Sequence, residues 1–205
     1  KRVSGRGTPF FTPQMMELKD IIRKNRSYRR FFQNREIGVE VLMDWVDMAR
    51  LTPSGRNLQP LKFKLVYEPE MCERLFPLLA WAGYLTDWSG PDEGDRPSAY
   101  IVMCNDSSLT EESRWDQGIC AQTLLLSAVE AGYGGCIIGS FRKKELSELL
   151  ALPENLSPAL VIALGVPKEV VILTEVKDDG DIRYYRDEGG THFVPKRSLN
   201  SVLIE

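Results

Sequence analysis

Two arginines and a serine, Arg26, Ser27 and Arg29, stand in the stretch KNRSYRRF, in which four cations surround one hydroxyl. Arginine binds phosphate through a bidentate fork, and a serine hydroxyl adds a further donor. Positions 26 and 29 lie one helical turn apart, so both guanidinium groups can reach one anion. The pattern indicates a phosphate site. The alternative is a solvated helix end, because the helix dipole also favours cations there.

A second polar stretch, TPSGRNLQP, offers a different kind of chemistry. Its Pro-Ser-Gly turn exposes backbone N–H groups and the Ser54 hydroxyl, while Asn57 and Gln59 supply amides. Amides both donate and accept hydrogen bonds, which suits the edge of a heteroaromatic ring. Pro, Ser, Gly and Asn are also the usual residues of a helix-to-strand connection, so an ordinary loop is the alternative.

A third stretch, GYGGCIIGSF, contains glycines that let the backbone approach a flat ligand closely. It lacks the GxGxxG spacing, and it ends a helical pattern instead of opening one. The dinucleotide-binding fingerprint is therefore absent. A tight turn into a buried strand is the alternative interpretation.

Hydrophobic periodicity and turn residues predict the elements that position these stretches. A first helix begins at Thr12-Pro13 and ends near Asn25, and a second begins near Val39 and ends at the proline-containing loop. Further on, the pattern predicts a strand at 61–67, a helical stretch at 68–88 interrupted at Pro77, a strand at 98–105, a long helix at 112–134, a strand at 134–141, a short helix at 143–153, a strand at 158–166 and a last strand within 194–205. Helices that alternate with buried strands imply a sheet flanked by helices.

Composition narrows the classes of function. The chain has 205 residues, 43% of them apolar, with 26 Lys and Arg against 29 Asp and Glu, for a net charge of −3. One domain with a sizeable core is expected, and a broad basic face for nucleic acid is not. The apolar stretch 117–141 is interrupted by Glu130 and glycines, which indicates a buried helix and strand, not a membrane span. A soluble, cytoplasmic protein is expected.

The four cysteines are scattered without a CxxC pair, and His192 is the one histidine. We therefore expect no metal site, and cysteines that act as small core residues in a reducing compartment. His192 is expected to be a surface or packing residue and not a proton donor.

The order and spacing of these stretches resemble the FMN-dependent nitroreductase family. RSYRRF, TPSGRNLQP, WDQGICAQTLLLSAVEAGYGGCIIGSF and the closing VPKRSL carry the resemblance, which covers roughly residues 15–205. It implies a three-layer α+β (α/β) fold with a mixed central sheet, assembled as an intertwined homodimer whose two protomers share each FMN site. Asn25 stands where many relatives carry the first of two basic residues.

The resemblance also assigns residues to the cofactor. It implies that Arg26, Ser27 and Arg29 hold the FMN phosphate and ribityl chain, with Lys196 and Arg197 as a second phosphate contact. Arg183 or Arg186 is the alternative for that second contact.

For the isoalloxazine ring, the resemblance implies that the second protomer supplies the loop and that a strand end supplies backbone N–H groups. The loop residues are Pro53, Ser54 and Asn57, and the strand-end residues are Gly139 and Ser140. Gln122 in the long helix is a further candidate for a ring contact.

The implied activity is electron transfer from NADH or NADPH, through FMN, to a nitroaromatic, a quinone or a similar small acceptor, in two successive half-reactions at one face. The scheme needs no catalytic side chain, and none is assigned. Alternatives are a specialised branch of the superfamily, flavin-fragmenting or dehalogenating, and a flavin-binding sensor without turnover.

The whole chain is expected to form a single domain, residues 1–205, with residues 1–11 as a flexible extension and residues 70–96 as a helical lid insertion. Trp81, Tyr84 and Trp88 in that insertion are candidates to stack on the nicotinamide or the acceptor. Packing of these aromatics into the core is the alternative.

Overall fold

A computed structural model describes residues 16–204. The first helix, α1, spans Leu18–Lys24 and ends at Asn25, as its basic C-terminal turn predicts. The predicted start at Thr12-Pro13 lies outside the described residues, and Met16 and Glu17 are not helical, so the helix begins later than expected within the described part.

The remaining elements are α2 (Val39–Arg50), β1 (Leu61–Val66), α3 (Pro69–Leu75), β2 (Ala99–Asp106), α4 (Arg114–Glu130), β3 (Gly134–Ile138), α5 (Lys143–Leu149), β4 (Leu156–Gly165), β5 (Val171–Glu175), β6 (Tyr185–Arg186) and β7 (His192–Lys196). The elements from α2 to β4 follow the predicted order, and three further strands come after them. Single turns of 3-10 helix occur at Gly55–Asn57 and Phe76–Leu78.

The central sheet has four strands in the order β1-β2-β4-β3, and each neighbouring pair is antiparallel. All eight residues of β2 are buried. Successive side chains of a strand point to opposite faces, so a fully apolar strand must be covered on both sides. Parallel pairing is confined to β5 with β7 and to a one-residue bridge from Ser27 to Gly135, among residues 16–204.

Helices cover both faces of this sheet, as the family resemblance implied. Leu42 of α2 and Leu124 of α4 pack with Ile101 of β2 on one face. Leu75 of α3 and Leu146 of α5 pack with Tyr100 on the other face. The alternation of Tyr100 and Ile101 thus divides the core into two layers, and the chain has the expected three-layer arrangement.

A second, smaller sheet lies in the C-terminal part, with strand order β5-β7-β6. The sequence pattern predicts only a last strand within 194–205, which is wrong in position, since β7 ends at Lys196 and the described residues after it form turns or irregular backbone. The charged residues around β5 and β6 hide the weak alternation of these short strands.

The segment after α3 also differs from its predicted form. Helical structure ends at Leu78, one residue after Pro77, and residues 79–98 contain turns but neither helix nor named strand. Proline removes a backbone donor and stops the helix there. The aromatic residues that follow had suggested a continued helix.

All four cysteines are buried and free, as expected. Among the residues described, none of the helices has the length and apolarity needed to span a membrane. Within 16–204, no group of three or more His, Cys, Asp or Glu side chains is arranged to bind a metal ion.

Candidate functional site

The candidate site runs along the outer edge of β3, the terminal strand of the central sheet. At one end, the Tyr28 N–H donates to the Gly135 carbonyl at 3.0 Å; at the other, the Ala80 N–H donates to the Ser140 carbonyl at 2.9 Å. Alternate residues of an antiparallel strand direct their backbone groups to the same edge. Ile137 and Gly139 therefore face the same open edge as Gly135, and Ser140, which follows the end of the strand, pairs with the segment after α3.

This open stretch has the dimensions of a mononucleotide site. Gly139 is four residues after Gly135, which corresponds to about 13 Å in an extended strand. Ile137 is 40% exposed, although the other residues of β3 are buried. The N–H groups of Gly139 and Ser140 make no hydrogen bond to another described residue. Apolar contact and free donors are thus available along the same edge.

A cavity of about 460 Å³ opens at the Gly139 end. Its lining includes Asn105, Gln117, Lys143 and Ser157. Ligand pockets have volumes on the order of 300–1,000 Å³ and a few convergent polar groups. The cavity therefore has room for a flat ring placed against the free N–H of Gly139.

The opposite end carries Arg26 and Arg29. These are the only half-buried arginines within 16–204 that lack a carboxylate partner; Arg30, Arg96 and Arg186 each have one, and the other unpaired arginines are exposed. Removing a cation from water without a counter-ion is costly. An anion from outside the chain would offset this cost.

The two arginines are held by neutral groups. Arg26 donates to the Ile22 carbonyl at 2.8 Å, while its buried Nε atom has no partner among the described residues. The Arg29 guanidinium donates to the Ser27 carbonyl at 3.3 Å, lies 3.4 Å from His192 Nε2 and covers the Tyr184 ring at 5.0 Å. The Ser27 side chain is exposed beside them. This arrangement fits a phosphate group.

The structure places Gln122 at the arginine end and not at the cavity end. Its Oε1 accepts a hydrogen bond of 3.4 Å from Asn25 Nδ2. Gln117 lines the cavity instead. The family resemblance singled out Gln122 alone, although both glutamines lie on α4.

The loop after α2 is organised by a carboxylate that the sequence did not single out. Asp116, buried in the first turn of α4, accepts from the Ser54 hydroxyl at 2.5 Å and from the Gly55 N–H at 3.0 Å. The Ser54 oxygen in turn accepts from the Gln59 N–H at 2.9 Å. The Ser54 hydroxyl is therefore occupied within the chain.

Three residues of this loop have left-handed backbone conformations: Arg56 has φ of 53°, Asn57 of 55° and Gln59 of 49°. Such values are uncommon for residues other than glycine, and each costs on the order of 1 kcal/mol. Gln59 donates to Asn57 Oδ1 at 3.1 Å, and both amides are exposed. Asp116 thus stabilises a strained loop that presents Asn57 outward.

The second predicted phosphate contact is not brought to Arg29. Lys196 and Arg197 are exposed at the far end of β7, about 13 Å along the strand from the His192 contact. Arg183 pairs with Asp181 at 2.8 Å on the surface. Arg186 lies closer to Arg29, but it is paired with Glu169.

The three candidate aromatics of the 70–96 segment divide into two groups. Trp81 is buried against Phe76 and Trp88, and Trp88 lies 4.1 Å beneath the Arg186 guanidinium. Tyr84 is 49% exposed and packs on Tyr184 at 5.0 Å. Core packing accounts for both tryptophans, whereas Tyr84 faces solvent.

His192 is fully buried, which confirms the packing role expected for it. Burial, followed by the charges of Arg29 and Arg186, lowers the pKa of His192 to about 4. The imidazole is then neutral at physiological pH. Because Nε2 accepts from Arg29, the ring proton lies on Nδ1, which has no partner among the described residues.

Replacing Asp116 tests the support of the loop. Asp116→Ala leaves the Ser54 hydroxyl and the Gly55 N–H without their acceptor, so we expect the free energy of unfolding to fall by about 2–4 kcal/mol. Amide exchange at residues 54–59 should accelerate. Asp47→Ala is the matched control, since Asp47 pairs with Arg50 on the exposed surface and such a pair contributes less than about 1 kcal/mol. Equal losses in the two variants would contradict this role.

Stability should also depend on His192 between pH 6.5 and pH 4. In that range the unfolded chain binds a proton that the native imidazole does not, so stability falls as pH falls, by at most roughly 3 kcal/mol. Denaturant unfolding of the wild type and of His192→Phe at several pH values isolates the effect, because the chain has no other histidine. A stability difference that stays constant across this range would refute the assignment.

Comparison with known proteins places this chain in a family. A sequence model of the "Nitroreductase family" matches residues 22–166. A protein of Archaeoglobus fulgidus named "Putative NADH dehydrogenase/NAD(P)H nitroreductase" is 31% identical over 172 residues, covering 80% of this chain and 93% of that protein. The "Iodotyrosine deiodinase" of Thermotoga neapolitana is 25% identical over 192 residues, covering 85% of this chain and 96% of that protein.

Solved structures share the fold. The crystal structure of a "putative nitroreductase in complex with FMN" from Exiguobacterium sibiricum superposes with a TM-score of 0.62 at 20% identity, covering 77% of this chain and 91% of that one. Family match, identity and architecture agree: the chain belongs to the nitroreductase family.

Proposed function

We propose that this protein is an FMN-dependent oxidoreductase that passes electrons from NADH or NADPH to a small oxidised acceptor. The observation that carries the proposal is the asymmetry of the β3 edge. Two half-buried arginines without carboxylate partners lie at one end, and free backbone donors beside a cavity of about 460 Å³ lie at the other. A site for an anionic group and a site for a flat polar ring, about 13 Å apart along the strand, match the phosphate and the ring system of flavin mononucleotide.

Different residues of this chain would contact different parts of the cofactor. Arg26, Arg29 and the Ser27 hydroxyl would hold the phosphate, and the exposed Ile137 would lie under the ring. The N–H groups of Gly139 and Ser140 would donate to the ring edge. Lys196 and Arg197 lie on exposed backbone near the C-terminal end and would reach the phosphate only after that segment is rearranged or exchanged between protomers.

FMN, when bound, supplies a hydride acceptor that can be reduced by a nicotinamide and reoxidised by a second substrate. The chain's own task is to orient the ring, to place donors along its edge and to leave one face open. A nitroaromatic or a quinone suits such a face, with donor and acceptor occupying it in turn. No side chain is required to move a proton for the hydride step, and none is assigned a catalytic role.

We also propose a homodimer in which each loop around Asn57 covers the partner's ring. Large apolar side chains are exposed on α1, α2 and α4 and at the start of this loop: Leu18, Ile22, Met43, Leu51, Trp115 and Ile119. Exposed apolar surface of this extent marks an interaction site. The strained loop points Asn57 and Gln59 outward, away from the chain that builds it.

The related deiodinase supports a second candidate, a reductive dehalogenation by the same cofactor. The cavity beside Gly139 would accept a halogenated ring as readily as a nitro compound. No described side chain favours one acceptor over the other. Turnover assays with a nitroaromatic, a quinone and an iodophenol, each with NADH and NADPH, separate these activities and also test the alternative of a flavin-binding sensor that does not turn over.

Loss of the two arginines tests the cofactor assignment. The wild-type protein should be yellow and should bleach with NADH or NADPH in the absence of oxygen. Arg26→Ala with Arg29→Ala removes two charge-assisted contacts, so FMN binding should weaken by roughly 3–6 kcal/mol. Arg23→Ala with Arg35→Ala removes the same charge from exposed positions and should retain FMN. Equal FMN affinity in both double variants would rule out this phosphate site.

Light scattering tests the shared site. The FMN-loaded protein should have the mass of two chains, and Leu51→Glu with Trp115→Glu should release both the partner and the flavin, because charges on an apolar interface oppose association. Leu109→Glu with Leu173→Glu places the same charges at other exposed apolar positions and should preserve the dimer. A monomer that holds FMN tightly would disprove the shared site.

A further inference from the structure

A buried carboxylate, Glu169, lies between Arg186 of the C-terminal region and Arg29 of the candidate phosphate site. The Glu169 side chain is 1% exposed. One oxygen accepts from the backbone N–H of Arg29, and the other accepts from the Arg186 guanidinium at 3.0 Å. Glu169 thus contacts the backbone N–H of Arg29, while the negative charge of its carboxylate is paired with Arg186.

Arg186 is fixed firmly in this position. Its side chain is 12% exposed, it pairs with Glu169, and its guanidinium lies 4.1 Å from the centre of the Trp88 ring. A cation over an indole ring is attracted by the ring quadrupole. Three segments meet here: Glu169 lies just before β5, Arg186 ends β6, and Trp88 comes from the segment after α3.

The charges of this cluster do not cancel. Arg29 and Arg186 share one carboxylate, and the third titratable neighbour, His192, contacts Arg29 as a neutral ring. The cluster therefore has a surplus of one positive charge, which resides on Arg29. Arg29 has only a carbonyl, an imidazole nitrogen and an aromatic ring as its side-chain contacts among the described residues.

We propose that Arg186 is a positioning residue that keeps Glu169 occupied and so leaves the Arg29 guanidinium free for the phosphate of FMN. This inference rests on the proposed function. Without the Arg186 charge, Glu169 becomes a buried anion without a counter-ion, which is a costly state. Arg29 already binds Glu169 through its N–H, so its guanidinium is the cation placed to neutralise it. That capture would withdraw Arg29 from the ligand.

A pair of substitutions separates this role from a merely structural one. Arg186→Met removes the charge and keeps much of the side-chain volume. Glu169→Gln keeps an acceptor for the Arg29 N–H and removes the buried anion. If capture of Arg29 is the cause, the first change should weaken phosphate recognition, and the second, added to the first, should restore it.

The measurement is the dissociation constant of flavin-stripped protein for FMN and for riboflavin, followed by flavin fluorescence. Riboflavin lacks the phosphate, so the ratio of the two constants isolates the phosphate contact. We expect Arg186→Met to weaken FMN binding by about 10- to 100-fold with little change for riboflavin. Glu169→Gln/Arg186→Met should return the ratio to within about threefold of the wild type. Arg186→Lys, which keeps the charge, should preserve it.

Several outcomes overturn the inference. A double variant as weak as Arg186→Met, or an equal loss for FMN and riboflavin, would mean that Arg186 only supports the fold. An unchanged ratio in folded Arg186→Met would mean that Glu169 does not compete for Arg29. If the methionine variant does not fold, the double variant and Arg186→Lys still decide, since both must show the wild-type ratio. Wild-type protein that binds FMN no better than riboflavin would instead refute the proposed phosphate site, and this inference with it.

Discussion

The cost of holding a guanidinium partly out of water without a carboxylate is the constraint on which this structure depends. Arg26 and Arg29 lie at the end of α1, against the edge of β3, and among the described residues their guanidinium groups donate hydrogen bonds only to carbonyls and to an imidazole nitrogen. A fold tolerates such a cost where it serves binding. The antiparallel sheet fixes β3, β3 fixes Tyr28 through Gly135, and Tyr28 fixes the arginines on both sides of it.

A second buried charge determines the conformation of the loop after α2. Asp116 is a buried anion whose hydrogen bonds to Ser54 and Gly55 hold a loop with three left-handed residues. Arg26 and Arg29 have no carboxylate partner among the described residues, whereas the Asp116 carboxylate accepts hydrogen bonds from a hydroxyl and a backbone N–H. The first arrangement is suited to a ligand and the second to preorganising a surface, so the two charges divide binding and support between them.

Much of the central layer could be predicted from the sequence because its signals are local. The apolar run of β2, the long helix α4 and the glycines before β3 each lie within one continuous stretch, and so do the arginines of the candidate site. The spacing of apolar residues within β2 and α4 indicates directly which side chains are buried.

The contacts that complete the site are not local. Asp116 lies 62 residues from Ser54, and Glu169 lies 140 residues from Arg29. No periodic pattern links such positions, so neither carboxylate was identified from sequence. The aromatic residues at 81–88 have a spacing typical of a helix, so a helix was predicted there. In the structure, helical backbone has already ended next to Pro77. Gln122 was the candidate for a ring contact, but the end of β3 that a residue of α4 approaches depends on how the helix packs on the sheet, which no local pattern reports.

The open edge of β3 has one more consequence. An unpaired strand edge is a template on which other chains can add a strand, and strands in sheets are usually at least three residues long. Here the backbone of Tyr28 pairs with Gly135 and the strand ends at Ile138, so the unpaired stretch around Ile137 and Gly139 is short. A small planar molecule can lie along that stretch, but an extended peptide cannot establish a ladder there. The fold thereby leaves these backbone groups open to a small molecule while it limits the addition of a strand from another chain.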